Sequence, residues 1–282
     1  MSVHGRGALR ASSHRSRPVQ LAVLTFAAAL AIGSLVVNPT PAAAAGMKVV
    51  VVVGPVESNT SNYVTNAKRY AAQARSYGAT VVEIYSPDAT WSKVRAAANG
   101  ANVLIYLGHG NGYPSAYGVF SAYTKDGMGL NSSAGRGNSN TRYFGEYYIR
   151  HDIHLAADAV VILNRLCYAS GDSEWGRANP TKSVAMRRAD NYGAGFLRAN
   201  AKAVFAIGID SASYTLRSLL SSTKTIGQIF KSDPARDLRY DFSFASVRTP
   251  GYRVWMDPYA PGRYYRSVVG ELELSAVTVR GG

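Results

Sequence analysis

The sequence predicts an α/β fold built on a mostly parallel central sheet, and three observations support this prediction. Short, continuous runs of apolar, β-branched residues recur along the chain, as expected for strands that are buried on both faces. Amphipathic segments with helical spacing separate these runs. Chain length and composition are consistent with this fold, because 282 residues with 47% hydrophobic and 17% charged residues suit one globular domain with a sizeable core.

The first half of the predicted sheet alternates regularly between strand and helix. Apolar strands are expected at 48–53, 80–85 and 102–107, and helices are expected at 63–77 and 91–98. This alternation indicates βαβ units with right-handed crossovers.

The second half is interrupted by a stretch without periodicity. Residues 111–142 are rich in Gly, Ser, Asn and Tyr, and such a long irregular segment is usually functional or disordered. Further elements are expected after it: a short helix within 143–153, strands at 159–166 and 203–209, and helices at 181–200 and 214–231. The tail, residues 243–282, contains a strand-like segment at 271–279, and the sequence assigns this tail no clear role.

The first 45 residues have the organisation of a secretory signal peptide. Four arginines precede an apolar run over 21–37, and the Ala-rich residues 42–45 follow as a cleavage region. An uncleaved membrane anchor is the alternative, although the run is barely long enough to span a bilayer. We therefore expect a secreted, extracellular protein whose mature domain covers residues 46–282, with no stable membrane insertion after the signal is removed.

The mature chain is basic. Removal of residues 1–45 takes away four arginines and no acid, which lowers the formal net charge from +14 to +10. The Lys and Arg residues are scattered rather than clustered, which favours a soluble basic surface over nucleic-acid binding. A positive field would help to hold the protein near anionic cell-wall polymers, and we state that association as a hypothesis.

The chain has one cysteine, Cys167, so no disulfide can form within it. A single cysteine, taken by itself, is most simply interpreted as a buried structural thiol. The position of Cys167 instead favours a catalytic role, because Cys167 follows the fourth predicted strand and His109 follows the third. The carboxyl ends of parallel strands share one edge, where a thiol and an imidazole can act as nucleophile and acid/base. The N–H groups of Gly110 and Cys167 are the natural oxyanion donors.

These segments resemble the caspase-like (clan CD) cysteine peptidases. The resemblance rests on an apolar strand ending in His-Gly (VLIYLGHG) and, after a spacer, an apolar strand ending in Cys (VVILNRLCYASG). The CYASG ending looks most like the bacterial gingipain, clostripain and CHAT-type members. The resemblance implies a caspase-like α/β/α sandwich and a cysteine endopeptidase acting on a polypeptide substrate. His109 would be the general acid/base, Cys167 the nucleophile and Gly110 the oxyanion donor, with no metal and no organic cofactor required.

Four other residues are candidates for substrate binding. On a strand, Arg165 would share a face with Cys167, where it would lower the pKa of the thiol or attract an acidic substrate, or else be a solvated strand-end residue. Asp172 and Asp210 are candidate acids for a pocket that takes a basic side chain, and Glu174, in the same loop as Asp172, is a further possibility; Asp210 is the best placed of the three, at a strand end. Surface acids are the alternative for all three. Tyr113 is the first aromatic residue of the loop after His109, which we call the Tyr-rich loop. Its aromatic side chains would either bind peptide or glycan or simply pack the loop against the domain.

Two other functions stay open at this stage. A catalytically silent caspase-like module would bind a protein or cell-wall ligand through the Tyr-rich loop, and a slowly reacting thiol would favour it. A Rossmann-like small-molecule binder is disfavoured, because the glycines around His109 lack the later Gly and the following helix of a phosphate loop. His151 and His154 share a predicted helix face but have no third ligand, which favours surface residues over a metal site.

Overall fold

An eight-stranded mixed sheet forms the centre of the structure, a computed structural model that describes Ala44 and residues 46–281. The predicted signal peptide, residues 1–45, lies outside the described residues apart from Ala44. The strands are β1 (Lys48–Val53), β2 (Thr80–Tyr85), β3 (Val103–Leu107), β4 (Met128–Asn131), β5 (Thr141–Phe144), β6 (Ala159–Asn164), β7 (Ala201–Ile207), β8 (Phe242–Ala245), β9 (Arg253–Met256) and β10 (Arg266–Gly270). The helices are α1 (Thr60–Ser76), α2 (Trp91–Ala98), α3 (Glu146–Asp152), α4 (Lys182–Arg198), α5 (Ser213–Ser221), α6 (Ile226–Ser232) and α7 (Ala276–Val279).

The strand order of the main sheet is β2-β1-β3-β6-β7-β10-β9-β8. The first five strands pair in parallel, and β10, β9 and β8 extend the sheet with antiparallel pairings. Strands β4 and β5 form a separate antiparallel pair. The predicted mostly parallel α/β sheet is therefore confirmed. No helix in the described part of the chain is long and apolar enough to cross a membrane.

Helices cover both faces of the sheet. In β1, Val50 and Val52 point into one hydrophobic cluster, while Val49, Val51 and Val53 point into the other. The first cluster includes apolar residues of α2, α3 and α4, and the second includes residues of α1, α5, α6 and α7. This alternation within fully buried strands explains their unbroken apolar sequences, and it produces the predicted α/β/α sandwich.

Several predicted elements differ in detail. The stretch 111–142 was expected to be irregular, yet it contains β4 and the beginning of β5. The single helix expected at 214–231 is two helices, because Thr225 forms a capping box that starts α6. The prediction of a strand at 271–279 is wrong. Its alternating leucines are buried in the core cluster next to α6, and the segment then turns into α7, which begins after the N-cap Ser275.

The tail is an integral part of the sandwich. It supplies β8, β9 and β10, and polar contacts fix it to α4 and α3. The carboxylate of Asp190 accepts hydrogen bonds from the N–H groups of Val247 (2.8 Å) and Arg248 (3.1 Å). Arg248 also donates to both carboxylate oxygens of the buried Glu146, at 2.6 and 2.7 Å. Charge-assisted bonds to these two buried carboxylates hold the tail in place.

Candidate functional site

The carboxyl edge of the parallel strands brings the His-Gly and Cys segments together. Strands β3 and β6 are neighbours, with Leu107 paired to Asn164 at their ends. His109 lies two residues after the end of β3, and Cys167 lies three residues after the end of β6. A Cβ placed on Gly110 would lie 2.0 Å from the carbonyl oxygen of Cys167, so the two backbones are in direct contact. Only glycine permits this approach.

A sharp turn after β6 presents Cys167. The strand ends at Asn164, two residues earlier than expected, and both Arg165 (φ 62°) and Tyr168 (φ 70°) adopt the left-handed conformation. Asn164 stabilises the turn, since its side-chain amide donates to the carbonyls of Ile207 (3.0 Å) and Asp210 (2.9 Å). Strand alternation therefore no longer determines where Arg165 points relative to Cys167.

His109 is oriented by an acid that the sequence analysis did not single out. Its Nε2 lies 3.0 Å from Oε2 of Glu57, while no hydrogen bond joins it to Cys167 within the described residues. The hydroxyl of the buried Tyr106 lies 3.1 Å from the His109 carbonyl and donates to the carbonyl of Gly129 at 2.7 Å. The backbone of His109 is thus tied to β4, and its ring is tied to Glu57.

Glu57 occupies a strained turn after β1, the strand next to β3. Its φ is 45°, and its N–H donates to the carbonyl of Asn138 at 3.0 Å. The order β1-β3-β6 places an acid, an imidazole and a thiol at successive strand ends. The sequence signal was an acid four residues after the first strand, but its relevance depends on strand order, which one sequence does not reveal.

The surroundings of the thiol favour its protonated form. Burial, followed by the negative charge of Glu174 and then that of Asp172, raises the pKa of Cys167 to about 11. Arg165 is not among the groups that offset this rise, contrary to the expectation that it would lower the pKa of the thiol.

Two backbone donors are available beside the thiol. Within the described residues, neither the Gly110 N–H nor the Cys167 N–H donates to a backbone carbonyl, although the Cys167 N–H interacts with its own sulfur. Both residues are half-buried, and N–H groups of this kind beside a nucleophile are suited to hold an oxyanion.

A cavity of about 510 Å³ opens next to Cys167. Its walls include Leu166, Tyr265 and the 96% exposed Trp175. Asp172 also lines the cavity and is only 6% exposed. One of its oxygens accepts from the N–H of Ser173 at 2.8 Å, and it forms no ion pair with the described residues. Burial raises the pKa of Asp172 and outweighs the hydrogen bond from Ser173 and the positive charges of Arg263 and Arg188, which oppose the rise.

The remaining candidate residues are distributed as follows. Arg165 lines the same cavity as Asp172. Asp210 does not, and it instead faces a separate cavity with Gln73 and Asp233. Tyr113 lies in the loop after His109, where its N–H donates to Asp126 at 3.0 Å and its ring packs against Phe120. The structure therefore places Arg165 and Asp172 beside Cys167, and places Asp210 and Tyr113 elsewhere.

The predicted histidine pair does not form a metal cluster. His151 packs against the ring of Tyr147, with 4.4 Å between the ring centroids. Among the described residues, no three His, Cys, Asp or Glu side chains are arranged to hold a metal ion.

Comparisons with known proteins show that this chain has little similarity to any family model or curated protein. No family model matches the chain, and no curated protein matches it. Among solved structures, the chain is similar to the Arg-specific cysteine proteinase gingipain R, with a TM-score of 0.33 and 14% sequence identity. The match covers 85% of this chain and 63% of the gingipain chain, so this chain spans less than two thirds of that structure.

Proposed function

We propose that this protein is a cysteine peptidase that uses Cys167 as nucleophile and His109 as general acid/base. The observation that carries the proposal is the contact between the His-Gly segment and Cys167 at the carboxyl edge of β3 and β6. This contact supports the proposal because it brings the segments that carry the thiol and the imidazole together, with the N–H groups of Gly110 and Cys167 in the same two segments. Acyl transfer requires these three elements.

The proposed reaction proceeds in two steps. The thiol proton of Cys167 passes to His109 as the sulfur attacks the scissile carbonyl carbon, and the N–H groups of Gly110 and Cys167 stabilise the oxyanion. His109 protonates the leaving amine as the C–N bond breaks, which leaves a thioester. Water, deprotonated by His109, then hydrolyses the thioester and restores the thiol. Glu57 acts as a positioning residue, because its contact with Nε2 fixes the orientation of the imidazole ring.

The cavity supports a preference for a basic side chain on the amino side of the cut bond. Asp172 is a buried carboxylate without an ion pair among the described residues, and Glu174 lies in the same wall. Burial outweighs the hydrogen bonds and arginine charges that stabilise the Asp172 carboxylate, so a guanidinium or ammonium group placed beside it would stabilise it further. Apolar walls would cover the methylene groups of a Lys or Arg side chain.

A peptide library tests the reaction. The mature protein and its Cys167→Ala variant are incubated with a diverse set of peptides under reducing conditions, and the cut bonds are identified by mass spectrometry. We expect cleavage by the parent alone, mainly after Lys and Arg. Cleavage by both proteins would exclude Cys167 as the nucleophile, and cleavage by neither would contradict the proposed activity.

Matched carboxylate variants test the specificity. Asp172→Asn should raise KM for peptides with a basic residue at the cut site and leave KM for neutral ones nearly unchanged. Asp88→Asn, the same change at an exposed turn, should have no effect. If Asp210→Asn rather than Asp172→Asn abolishes the preference, the basic side chain binds elsewhere than in the cavity described above.

A second candidate function is a silent binding module of the same fold. The raised pKa of Cys167 favours it, because an unactivated thiol reacts slowly at neutral pH. Its ligand would be a protein or cell-wall polymer held near the Tyr-rich loop, and the basic surface would assist an anionic polymer. Salt-sensitive retention on cell-wall material by both the parent and Cys167→Ala, together with no peptide cleavage, would support this function over the first.

A further inference from the structure

Arg165, on the wall of the cavity beside Cys167, has a guanidinium group without a hydrogen-bond acceptor. The residue is half-buried, and its Nε is shielded from solvent with no partner among the described residues. Its hydrogen bonds to described residues run through the backbone. The N–H donates to the carbonyl of Ile207 at 2.8 Å, and the carbonyl accepts from the hydroxyl of Tyr63 at 3.3 Å. An unpaired buried donor on a charged group is costly, so this site is complete only when an acceptor binds.

A second arginine with an unpaired Nε shows what is missing at Arg165. In the core, the Nε of Arg266 also has no partner among the described residues, but the same guanidinium donates to the carboxylate of Asp257 and to the carbonyl of Phe230. The charge of Arg266 is therefore balanced by the fold. Arg165 lowers the pKa of Asp210, yet none of the ion pairs in the described chain joins these two side chains.

The other arginines of the cavity interact with its acids. Glu174 accepts from Nε of Arg177 at 2.8 Å, and the positive charge of Arg263 lowers the pKa of Asp172. These acids follow the thiol in the chain, whereas Arg165 precedes it, in the left-handed turn that ends β6. The cavity therefore combines an acidic wall that is partly compensated with a separate cationic group that has no carboxylate partner among the described residues.

We propose that Arg165 binds a carboxylate of the substrate, so that the preferred polypeptide carries an acidic residue next to the basic residue at the cut bond. This inference rests on the proposed function and adds a second determinant of specificity to it. One substrate side chain does not carry both charges, so an acidic wall and an unpaired guanidinium in one cavity correspond to two neighbouring residues. A carboxylate also matches a guanidinium in shape, since its two oxygens accept from two N–H groups at once.

Binding of a small carboxylate measures this site without any need for peptide cleavage. Propionate carries the carboxylate of an acidic side chain, and propionamide is a neutral compound of nearly the same shape. Each is titrated into the parent protein at neutral pH, and the arginine Nε–H signals are followed by nitrogen–proton correlation NMR. Because the Nε of Arg165 is shielded from solvent, its proton should exchange slowly enough to be observed. The signal that is missing from both Arg165→Gln and Arg165→Lys identifies it.

We expect propionate, and not propionamide, to shift the Nε–H signal of Arg165 until the site is saturated. Peptides that differ only in having Glu or Gln next to the basic residue are then compared. The parent should cut the Glu peptide with a kcat/KM about tenfold above that of the Gln peptide, as one charge-assisted hydrogen bond contributes. In Arg165→Gln this ratio should fall to about one. Arg95→Gln, the same change at an exposed position of α2, should keep the ratio of the parent.

The outcomes separate this inference from the proposed function. No shift with propionate, or an equal shift with propionamide, would overturn carboxylate binding whether or not peptides are cut. Equal cleavage of the Glu and Gln peptides would overturn the added specificity and leave the cysteine peptidase intact. A propionate response in a protein that cuts no peptide would support the carboxylate site and refute the peptidase function. Cleavage directly after Asp or Glu would overturn the two-residue assignment, because the acid would then occupy the cut position.

Discussion

Replacement of Asp126 by Asn should change how the stability of the protein depends on pH. Asp126 lies fully buried in the loop between His109 and β4. One carboxylate oxygen accepts from the N–H of Tyr113 at 3.0 Å, and the other has no hydrogen-bond partner. The neighbouring Lys125 does not pair with it, because its ammonium donates to Asn111, Ser115 and the carbonyl of Tyr117.

The magnitude follows from the pKa of this carboxyl group. Burial is the main cause that raises the pKa of Asp126 from 3.8 to about 8, with Glu146 adding to the rise and Arg248 opposing it. Because the folded-state pKa is the higher one, this group's stabilisation is complete below pH 3.8 and is lost as the pH rises through 8. Between pH 6 and 8, the group should cost the parent roughly 2 kcal/mol of unfolding free energy.

Urea unfolding followed by circular dichroism at pH 6 and pH 8 tests this. Asp126→Asn keeps the acceptor for the Tyr113 N–H and removes the titrating group. Between pH 6 and pH 8, the unfolding free energy of the variant should therefore fall by about 2 kcal/mol less than that of the parent. Asp88→Asn should follow the parent. Equal pH dependence in the parent and in Asp126→Asn would refute the reasoning, because it would mean that the buried carboxyl does not titrate in this range.

Three further substitutions have expected outcomes. Glu57→Gln should lower kcat by about tenfold with KM little changed, because the imidazole loses its charged positioning partner; steady-state kinetics on a Lys or Arg peptide measure it. Gly110→Ala should lower kcat/KM by at least about a hundredfold, since its Cβ would lie 2.0 Å from the Cys167 carbonyl oxygen and the backbones must separate. Arg248→Ala should destabilise the fold by about 3 kcal/mol in urea unfolding, because it removes the closest ion-pair partner of the buried Glu146.

Matched variants separate these effects from general damage. Glu271→Gln removes an exposed acid that lies 3.9 Å from Lys202, and kcat should not change. Gly227→Ala adds a methyl group whose nearest neighbour would be 3.3 Å away, so kcat/KM should stay within about twofold of the parent. If Glu57→Gln raises KM instead of lowering kcat, Glu57 contacts substrate rather than positioning His109. An Arg248→Ala protein as stable as the parent would mean that Arg198, 3.7 Å from Glu146, replaces the lost partner.

The sequence was informative wherever an element's pattern and its environment agree. The unbroken valines of β1 predict a strand buried on both faces, and the structure has that strand at the predicted residues. The position of Cys167 and His109 at the sheet edge was predicted in the same way, because a residue that closely follows a buried strand lies at that edge.

What the sequence did not reveal depends on contacts between distant segments. Glu57 becomes relevant only because β1 lies beside β3, and Asp210 is separated from the cavity because its strand end turns into α5 instead. The alternating residues 271–274 look like a strand, but alternation also arises when leucines pack against a neighbouring helix. The strand before Cys167 was predicted to end two residues too late, because β6 ends in a turn with a left-handed Arg165, which local propensity does not encode.

The position of β10 in the sheet determines how late in folding the cavity beside Cys167 is completed. Although it comes late in the chain, β10 pairs with β7 on one side and with β9 on the other, so the sheet is discontinuous until this strand arrives. The residues just before it, Arg263 and Tyr265, also complete the cavity beside Cys167. A partly synthesised chain would therefore contain the thiol and the histidine without the complete cavity beside Cys167. Closure of this gap is a long-range, slow event in folding, and it delays any chemistry at Cys167 until nearly the whole chain has emerged.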